Sequence, residues 1–359
     1  MSDKQKIYIA GVGMITPLGA NVEMTAAAVR AEISAYQEID YFDKDYNKIK
    51  MATVPDAALE NCLNEVLLKG NLSAKQARLL QLATCALYEL LPTLSNINKI
   101  PLFLAGPEQI NVNDCGINKQ FLENIVGQSD INIDLQNSRI ISTGRAGGLN
   151  TIQLAFRCFE SSDQDYVLVG GVDTFYDKAI LDSLDSADRL LCGEAMDAFV
   201  PGEGAGFLLL THRPELAAHY DERIVFLGEP GNGIETGHIM NEKPYRGEGL
   251  DQAFKQTLHN YNGPKIATIY SSMNGENYWA KECGVALLRN KAHFQDPITI
   301  EHNADCYGDL GVATGIVLAG IVTEKIKNGR SLAPSLIYCS SDREQRSAVV
   351  IHHHGAATF

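Results

Sequence analysis

The residues best spaced for chemistry lie where a β-branched run meets a cluster of glycines: Ile140-Ile141-Ser142-Thr143-Gly144-Arg145-Ala146-Gly147-Gly148-Leu149-Asn150. The run reads as strand, tight turn and helix start. Folds place a nucleophile in such a seat, because the turn exposes one side chain and the helix N-terminus favours negative charge beside it. A cysteine there would be more acidic than usual. The residue present is Arg145, whose guanidinium is neither a nucleophile nor a usable base. Ser142 and Thr143 have no His nearby in sequence to activate them. A second candidate is Cys306 with His302 four residues before it, the nucleophile and base that a thioester hydrolase or acyltransferase would need. A third is His352, His353 and His354. Neighbours on a strand alternate faces, so only His352 and His354 could share a metal, and no further Cys or His pattern joins them. Gly11 and Gly13 begin a G-x-G, but Thr16 stands where a phosphate loop needs its third glycine.

The elements that must position these residues follow from periodicity. Leu149, Ile152, Ala155, Phe156 and Phe159 form one buried helical stripe after the Arg145 turn, with Cys158 read as packing. Tyr166 to Gly171 then reads as a buried strand, giving strand, helix, strand with a parallel, doubly covered sheet. Upstream, a strand spans Ile7 to Gly13, a helix Val22 to Arg30, and Tyr36 to Asp56 reads as loop. Ser73 and Gln76 form a capping box that opens a helix through Leu91, with Cys85 on its apolar side as a core residue. Ile100 to Ala105 is a strand and Pro107 to Asn137 is weakly patterned. A mixed polar stretch, Asp182 to Asp197, precedes a glycine-rich turn into the strand ending at Leu210, and Pro214 to Arg223 reads as a junction.

Beyond the junction the order repeats more loosely. Strands are expected at Ile224 to Leu227, Ile266 to Tyr270, Pro297 to Ile300 and Ser347 to Ile351. Helices are expected at Leu250 to His259, Tyr278 to Arg289 and Val312 to Val322. The pattern implies an α/β chain of two duplicated halves, residues 1–212 and 220–359.

Composition narrows the function classes. The 359 residues are 45% hydrophobic and 21% charged, ample for a large core. A net charge of −14 argues against nucleic acid or an anionic membrane as partner, and an acidic surface is poorly suited to docking an acidic carrier protein. No apolar run has the length to span a bilayer and the N-terminus lacks a signal-peptide core, so a cytoplasmic location is expected. The eight cysteines lie singly, without a C-x-x-C pair, and read as reduced thiols.

With these landmarks in place, the chain resembles the β-ketoacyl synthases of the thiolase fold. Lys6-Ile-Tyr-Ile-Ala-Gly-Val-Gly-Met-Ile-Thr-Pro-Leu-Gly19 is similar to their opening strand and turn. Val169-Gly-Gly-Val-Asp173 and Gly202-Glu-Gly-Ala-Gly206 resemble two central glycine signatures, and Gly308-Asp-Leu-Gly-Val-Ala-Thr-Gly315 resembles a helix start of the C-terminal half. The resemblance implies a five-layered αβαβα architecture and decarboxylative Claisen condensation by a Cys and two His, supported by a Lys. Matched position by position, Arg145 stands for the Cys, Asn274 for the first His, Asp309 for the second and Ala304 for the Lys. A further departure is expected at the C-terminus, where the family usually has a Gly-Phe-Gly-Gly loop and one more strand, whereas this chain has His353-His-Gly-Ala-Ala-Thr-Phe359. The segment before the central strand is also shorter than in the active enzymes.

These departures imply a non-catalytic ketosynthase-like subunit resembling the chain-length factors of type II polyketide synthases, among them the aryl polyene pathways. Such a subunit pairs with an active, Cys-bearing ketosynthase and shapes its acyl tunnel. Acyl carrier protein docks through the partner, and no cofactor or metal is implied. The interface is expected along Arg139, Ile140, Ile141, Ser142 and Thr143, with Arg145 joining it or filling the vestigial pocket. A solvent-directed Arg145 is the bland alternative. The rival readings are an enzyme relocated to Cys306 and His302, and a free-standing homodimeric scaffold.

Overall fold

The computed structural model describes residues 6–60, 72–95, 97–108, 117–129, 131–193, 195–259 and 261–355. The strands are β1 (Lys6–Ile15), β2 (Tyr36–Phe42), β3 (Lys48–Ala52), β4 (Leu102–Ala105), β5 (Arg139–Ile141), β6 (Val167–Thr174), β7 (Glu203–Thr211), β8 (His219–Tyr220), β9 (Arg223–Gly228), β10 (Gly231–Ile234), β11 (Ile266–Ser271), β12 (Phe294–Glu301), β13 (Ser335–Ser340) and β14 (Gln345–Gly355). The longer helices are α1 (Val22–Arg30), α2 (Ala74–Tyr88), α3 (Lys119–Gln128), α4 (Gly147–Ser161), α5 (Lys178–Ser186), α6 (Glu248–His259), α7 (Asn277–Asn290) and α8 (Thr314–Lys327).

Strand pairing follows one scheme twice. The main sheet runs β12-β11-β13-β14-β9-β1-β7-β6-β4-β5. In the first five, β5, β4 and β6 are parallel while β7 and β1 alternate in direction; β12, β11, β13, β14 and β9 repeat that arrangement. The two sets meet where β1 pairs antiparallel with β9, Ile7 opposite Leu227. β4, parallel on both sides, reads as a continuous apolar run buried at every position, as a strand covered on two faces must, whereas β11, also parallel on both sides, is broken by the half-buried Thr268.

Side-chain alternation sorts these strands into layers. Leu168, Phe207 and Leu209 face α2 and α3, whereas Val167, Leu208 and Leu210 turn to the opposite face. There α4 and α8 fill the centre, with Leu149, Ile152, Ile316 and Ala319 packed between the two strand sets. On the far side Leu336, Tyr338 and Val350 meet Leu250 and Phe254 of α6 and Ala286 of α7. The result is helix, sheet, helix, sheet, helix. α8 is apolar nearly all round because it lies at the middle, and twelve of its residues are buried.

Several sequence expectations change. Tyr36 to Asp56 is not a loop but carries the β2–β3 hairpin, whose inner residues Ile39, Ile49 and Met51 pack on α5. A helix, α3, lies in the weakly patterned stretch before β5. β13 stands between α8 and β14, so the further strand is not missing but is β14 itself, and the loop before it is the turn 341–344. The capping box is present, with Gln76 N donating to Ser73 Oγ at 3.2 Å and Ser73 N to Gln76 Oε1 at 3.2 Å. Cys85 departs from the reduced-thiol reading, being disulfide-bonded. Cys158, Cys192, Cys283, Cys306 and Cys339 are free, and Cys62 and Cys115 lie outside the described residues. No helix among the described residues is long and apolar enough to cross a membrane.

Candidate functional site

The Arg145 turn is built by crowding. β5 ends at Ile141, and a single 3-10 turn, Gly144–Ala146, leads into α4. Gly144 has φ +65°, and a Cβ there would lie 2.7 Å from Glu108 Oε2 and 2.8 Å from Ser341 Cβ, so only glycine fits. Ser341 Oγ accepts from Ala146 N at 3.0 Å and donates to the Thr143 carbonyl at 2.5 Å, tying the turn to the 341–344 loop. Arg346 steadies that loop from below. It is fully buried against Glu282 (Nε to Oε1, 2.5 Å) and donates from Nη1 to the carbonyls of Ser341 and Arg343 at 2.8 and 2.6 Å.

The second half contributes by the matching device, a glycine turn ahead of α8. Gly311 has φ +54°, and a Cβ there would fall 2.0 Å from Asp173 Oδ2. Its N–H donates to Asp309 Oδ1 at 2.9 Å, while Val312 N donates to Asp173 Oδ2 at 2.9 Å. Asp309 is thereby held with its other oxygen free to point across the junction.

That oxygen meets Arg145. Arg145 Nε donates to Asp309 Oδ2 at 2.7 Å, Nη2 reaches the same oxygen, and Nη1 pairs with Asp342 Oδ1. Asn274 Nδ2 donates to Asp309 Oδ2 at 2.9 Å and to Glu276 Oε2 at 3.1 Å. Glu276 accepts both arms of Arg189 (2.6 and 2.9 Å) and the Trp279 indole N–H at 3.0 Å. Arg189 then donates to Asp342 at 2.7 Å, closing a ring: Arg145, Asp309, Asn274, Glu276, Arg189, Asp342. Phe199 lies beside both guanidinium groups, at 5.9 Å from Arg145 and 5.3 Å from Arg189. Three of the four degenerate positions are therefore in direct contact.

The electrostatics explain why a cation is tolerated at this helix start. Burial works against the Arg145 charge, but Asp309 and Asp342 hold it well above its ordinary value. Burial likewise opposes ionisation of Asp342, yet Arg145 and Arg189 hold its carboxyl far below the usual range. Two neighbours go the other way. Burial, then Asp342, pushes Glu108 up to about 7, and burial raises Asp173 to about 6. The ring holds guanidinium groups, carboxylates and an amide; it offers no nucleophile where the condensing enzymes need a thiolate.

The remaining candidates are placed elsewhere. Ala304 does not join the ring; its carbonyl accepts from the Tyr36 hydroxyl at 2.7 Å. Cys306 and His302 do not pair: the thiol is buried among Met14, Val22 and Leu310, and burial raises its pKa, while His302 Nδ1 contacts Ser271 Oγ at 3.3 Å. Cys158 contacts Ser162 Oγ at 3.5 Å on α4. His352, His353 and His354 extend β14 beside β9, with His354 stacked on Phe226 at 4.3 Å, and no cluster of metal-ligating side chains exists among the described residues. Arg139, Ile140 and Ile141 form the outermost strand of the sheet, and Ser142 and Thr143 continue from its end. Arg145 departs from that group, since its side chain is 4% exposed and satisfied within the chain, neither reaching the edge nor solvent. Arg189, Glu276, Asp342 and Glu108 were not singled out by sequence; the charged partners that join them lie far along the chain.

Residues 137–215 match the family described as beta-ketoacyl synthase, N-terminal domain, and no curated protein matches the chain. Among solved structures, the chain is similar to the ishigamide ketosynthase/chain length factor, at 15% identity and a TM-score of 0.75, over 98% of this chain and 100% of that one. The chain has the ketosynthase fold. It is also similar to a ketosynthase in complex with its chain length factor from Xenorhabdus doucetiae (17% identity, TM-score 0.70, 98% and 99% covered). A third similar structure is the oxazolomycin ketosynthase domain from Streptomyces albus JA3453 (15% identity, TM-score 0.74, 99% and 75% covered). Within this ketosynthase fold the Arg145 turn falls inside the matched family segment, and the ion-pair ring joins connecting segments of both halves.

Proposed function

We propose that the chain is a non-catalytic ketosynthase-like subunit, a chain-length factor that pairs with an active, Cys-bearing β-ketoacyl synthase and shapes its acyl tunnel during polyketide or polyene elongation. The observation that carries this reading is the Arg145–Asp309 pair, which puts a bound guanidinium and a carboxylate where the resemblance calls for a thiol and an imidazole. Similarity to structures described as ketosynthases with chain length factors supports the same reading.

The interface is assigned to the outer strand β5, Arg139 to Ile141, with Ser142 and Thr143. Among the described residues it pairs on one side only, and its isoleucines are half-buried, so a strand from the partner would complete the sheet. Acyl carrier protein is assigned to the partner, because this chain's net charge of −14 would repel an acidic carrier. The halves 1–212 and 220–359 are taken as one duplicated unit, which the repeated strand order supports, and the complex is assigned to the cytoplasm.

Native mass spectrometry tests the proposal on the chain purified alone and after co-expression with a Cys-bearing ketosynthase from the same genome. A stoichiometric 1:1 complex is expected. A stable homodimer that ignores the ketosynthase overturns the reading in favour of a free-standing scaffold.

A further inference from the structure

Beside the ion-pair ring lies a pocket of about 120 Å³. One wall is apolar, built by Phe175 after β6 and by Ile180, Leu184 and Ala187 on and after α5; Pro107 and Met240 complete it. The floor and rim are charged, with Glu108, Arg145, Asp173, Arg189, Asp342 and Arg343. We propose that this pocket binds a small organic ammonium ion with an apolar body.

The first argument is size and shape. A ligand of about six to eight heavy atoms suits a cavity on this scale, and an apolar wall facing a few polar groups is the usual form of a small-molecule site.

The second is donor bookkeeping. Arg145 and Arg189 commit all three of their nitrogens to Asp309, Asp342 and Glu276 within the ring. An anionic ligand would meet guanidinium groups whose charge is already matched by carboxylates. Glu108 differs: among the described residues its carboxyl oxygens receive no hydrogen bond, and it makes an ion-pair contact with Arg343 Nε at 3.8 Å on the rim. An ammonium N–H would give Glu108 a charge-assisted hydrogen bond inside the pocket.

The third is charge balance. The carboxyls that face one another here are Glu108, Asp173, Glu276, Asp309, Asp342 and Glu344, against Lys75, Arg145, Arg189 and Arg343. Acids outnumber bases, and the raised values of Glu108 and Asp173 reflect that shortage together with burial. A monocation offsets the excess, whereas a carboxylate adds to it. Binding should therefore tighten as pH rises through 7, where Glu108 ionises.

Isothermal titration calorimetry on the full chain, alone or in complex with its partner, tests this with n-hexylammonium, hexanol and hexanoate. Hexylammonium should bind at least about tenfold more tightly than either comparator near pH 8, and weaken about tenfold on lowering the pH by about two units. Glu108→Gln should remove both the preference and the pH dependence while circular dichroism stays unchanged. Leu184→Trp, which fills the apolar cup from α5, should abolish binding of all three. Hexanoate or hexanol binding as tightly as hexylammonium, an unaltered preference in Glu108→Gln, or no saturation by hexylammonium at millimolar concentration overturns the proposal. None of these outcomes depends on pairing with a ketosynthase, so this inference and the proposed function stand or fall separately.

Discussion

Arg145 and Asp309, separated by 164 positions, share a buried hydrogen bond of 2.7 Å between Nε and Oδ2, and each is less than 5% exposed. Neither can lose its partner cheaply, because a lone charge would be left inside the protein. Asp309→Ala should destabilise the fold by about 3–5 kcal/mol, read as a lower denaturant midpoint in equilibrium unfolding. Replacing both with apolar residues of similar volume, Arg145→Met with Asp309→Leu, should lose less, since Asp342 keeps Arg189 and only the Gly311 N–H and the Asn274 amide lose an acceptor. A double variant as weak as the single would show that the ring as a whole, rather than the pair, sets stability.

Arg145→Cys should not create a condensing enzyme. The thiol would sit against Asp309 and Asp342, whose carboxylates raise a cysteine pKa instead of lowering it, and Asn274 cannot act as an imidazole. Intact-mass analysis after incubation with an acyl thioester is expected to show no acyl adduct at position 145. Accumulation of an acyl-enzyme would mean that the turn alone activates a thiol.

The strand, turn and helix around Arg145 were legible in sequence because a β-branched run, glycines and a helical stripe follow one another locally. The same held for α1, whose bounds Val22 and Arg30 agree, and for the Ser73 capping box. β13 escaped notice: Ser335 to Ser340 is covered on both faces, so it shows no alternation, and it follows Pro334 closely. The β2–β3 hairpin was hidden by its charged outer face. The ring was half legible. Arg145, Asn274 and Asp309 were found by position within motifs, but Arg189, Glu276 and Asp342 sit in turns with no periodic signal, and only the fold brings them together.

Disrupting β5 tests the assigned interface without touching the ring. Ile141 is half-buried on the outermost strand and pairs with Ala105 on its inner side. Ile141→Lys places a charge where a partner strand would pack, as natural sheets do to block edge pairing. The isolated chain should unfold within about 0.5 kcal/mol of the parent, as expected of an edge substitution, while the 1:1 complex is lost in native mass spectrometry. Retention of the complex would move the interface elsewhere.

The fold's pH response should carry opposing contributions that variants can separate. His352 lies on β14 beside Phe226, and burial, followed by His353, His354 and Lys6, lowers it to about 4. Its folded value is below its unfolded one, so the unfolded chain binds the proton more readily. Its contribution is present above about pH 6.5 and is lost as pH falls towards 4. Glu108 and Asp173 run in the other direction: their folded values are raised, so their contribution is present at low pH and lost as pH rises to about 7 and 6. The total curve can therefore look flat between pH 4 and 7 while each group titrates. Subtracting the unfolding free energies of His352→Phe from those of the parent, pH by pH, should leave a difference that shrinks towards acid, because the parent alone must bury an imidazole without its proton. The same subtraction with Glu108→Gln should leave a difference that shrinks towards neutral pH. A difference independent of pH for either variant would show that its side chain titrates alike in the folded and unfolded chain.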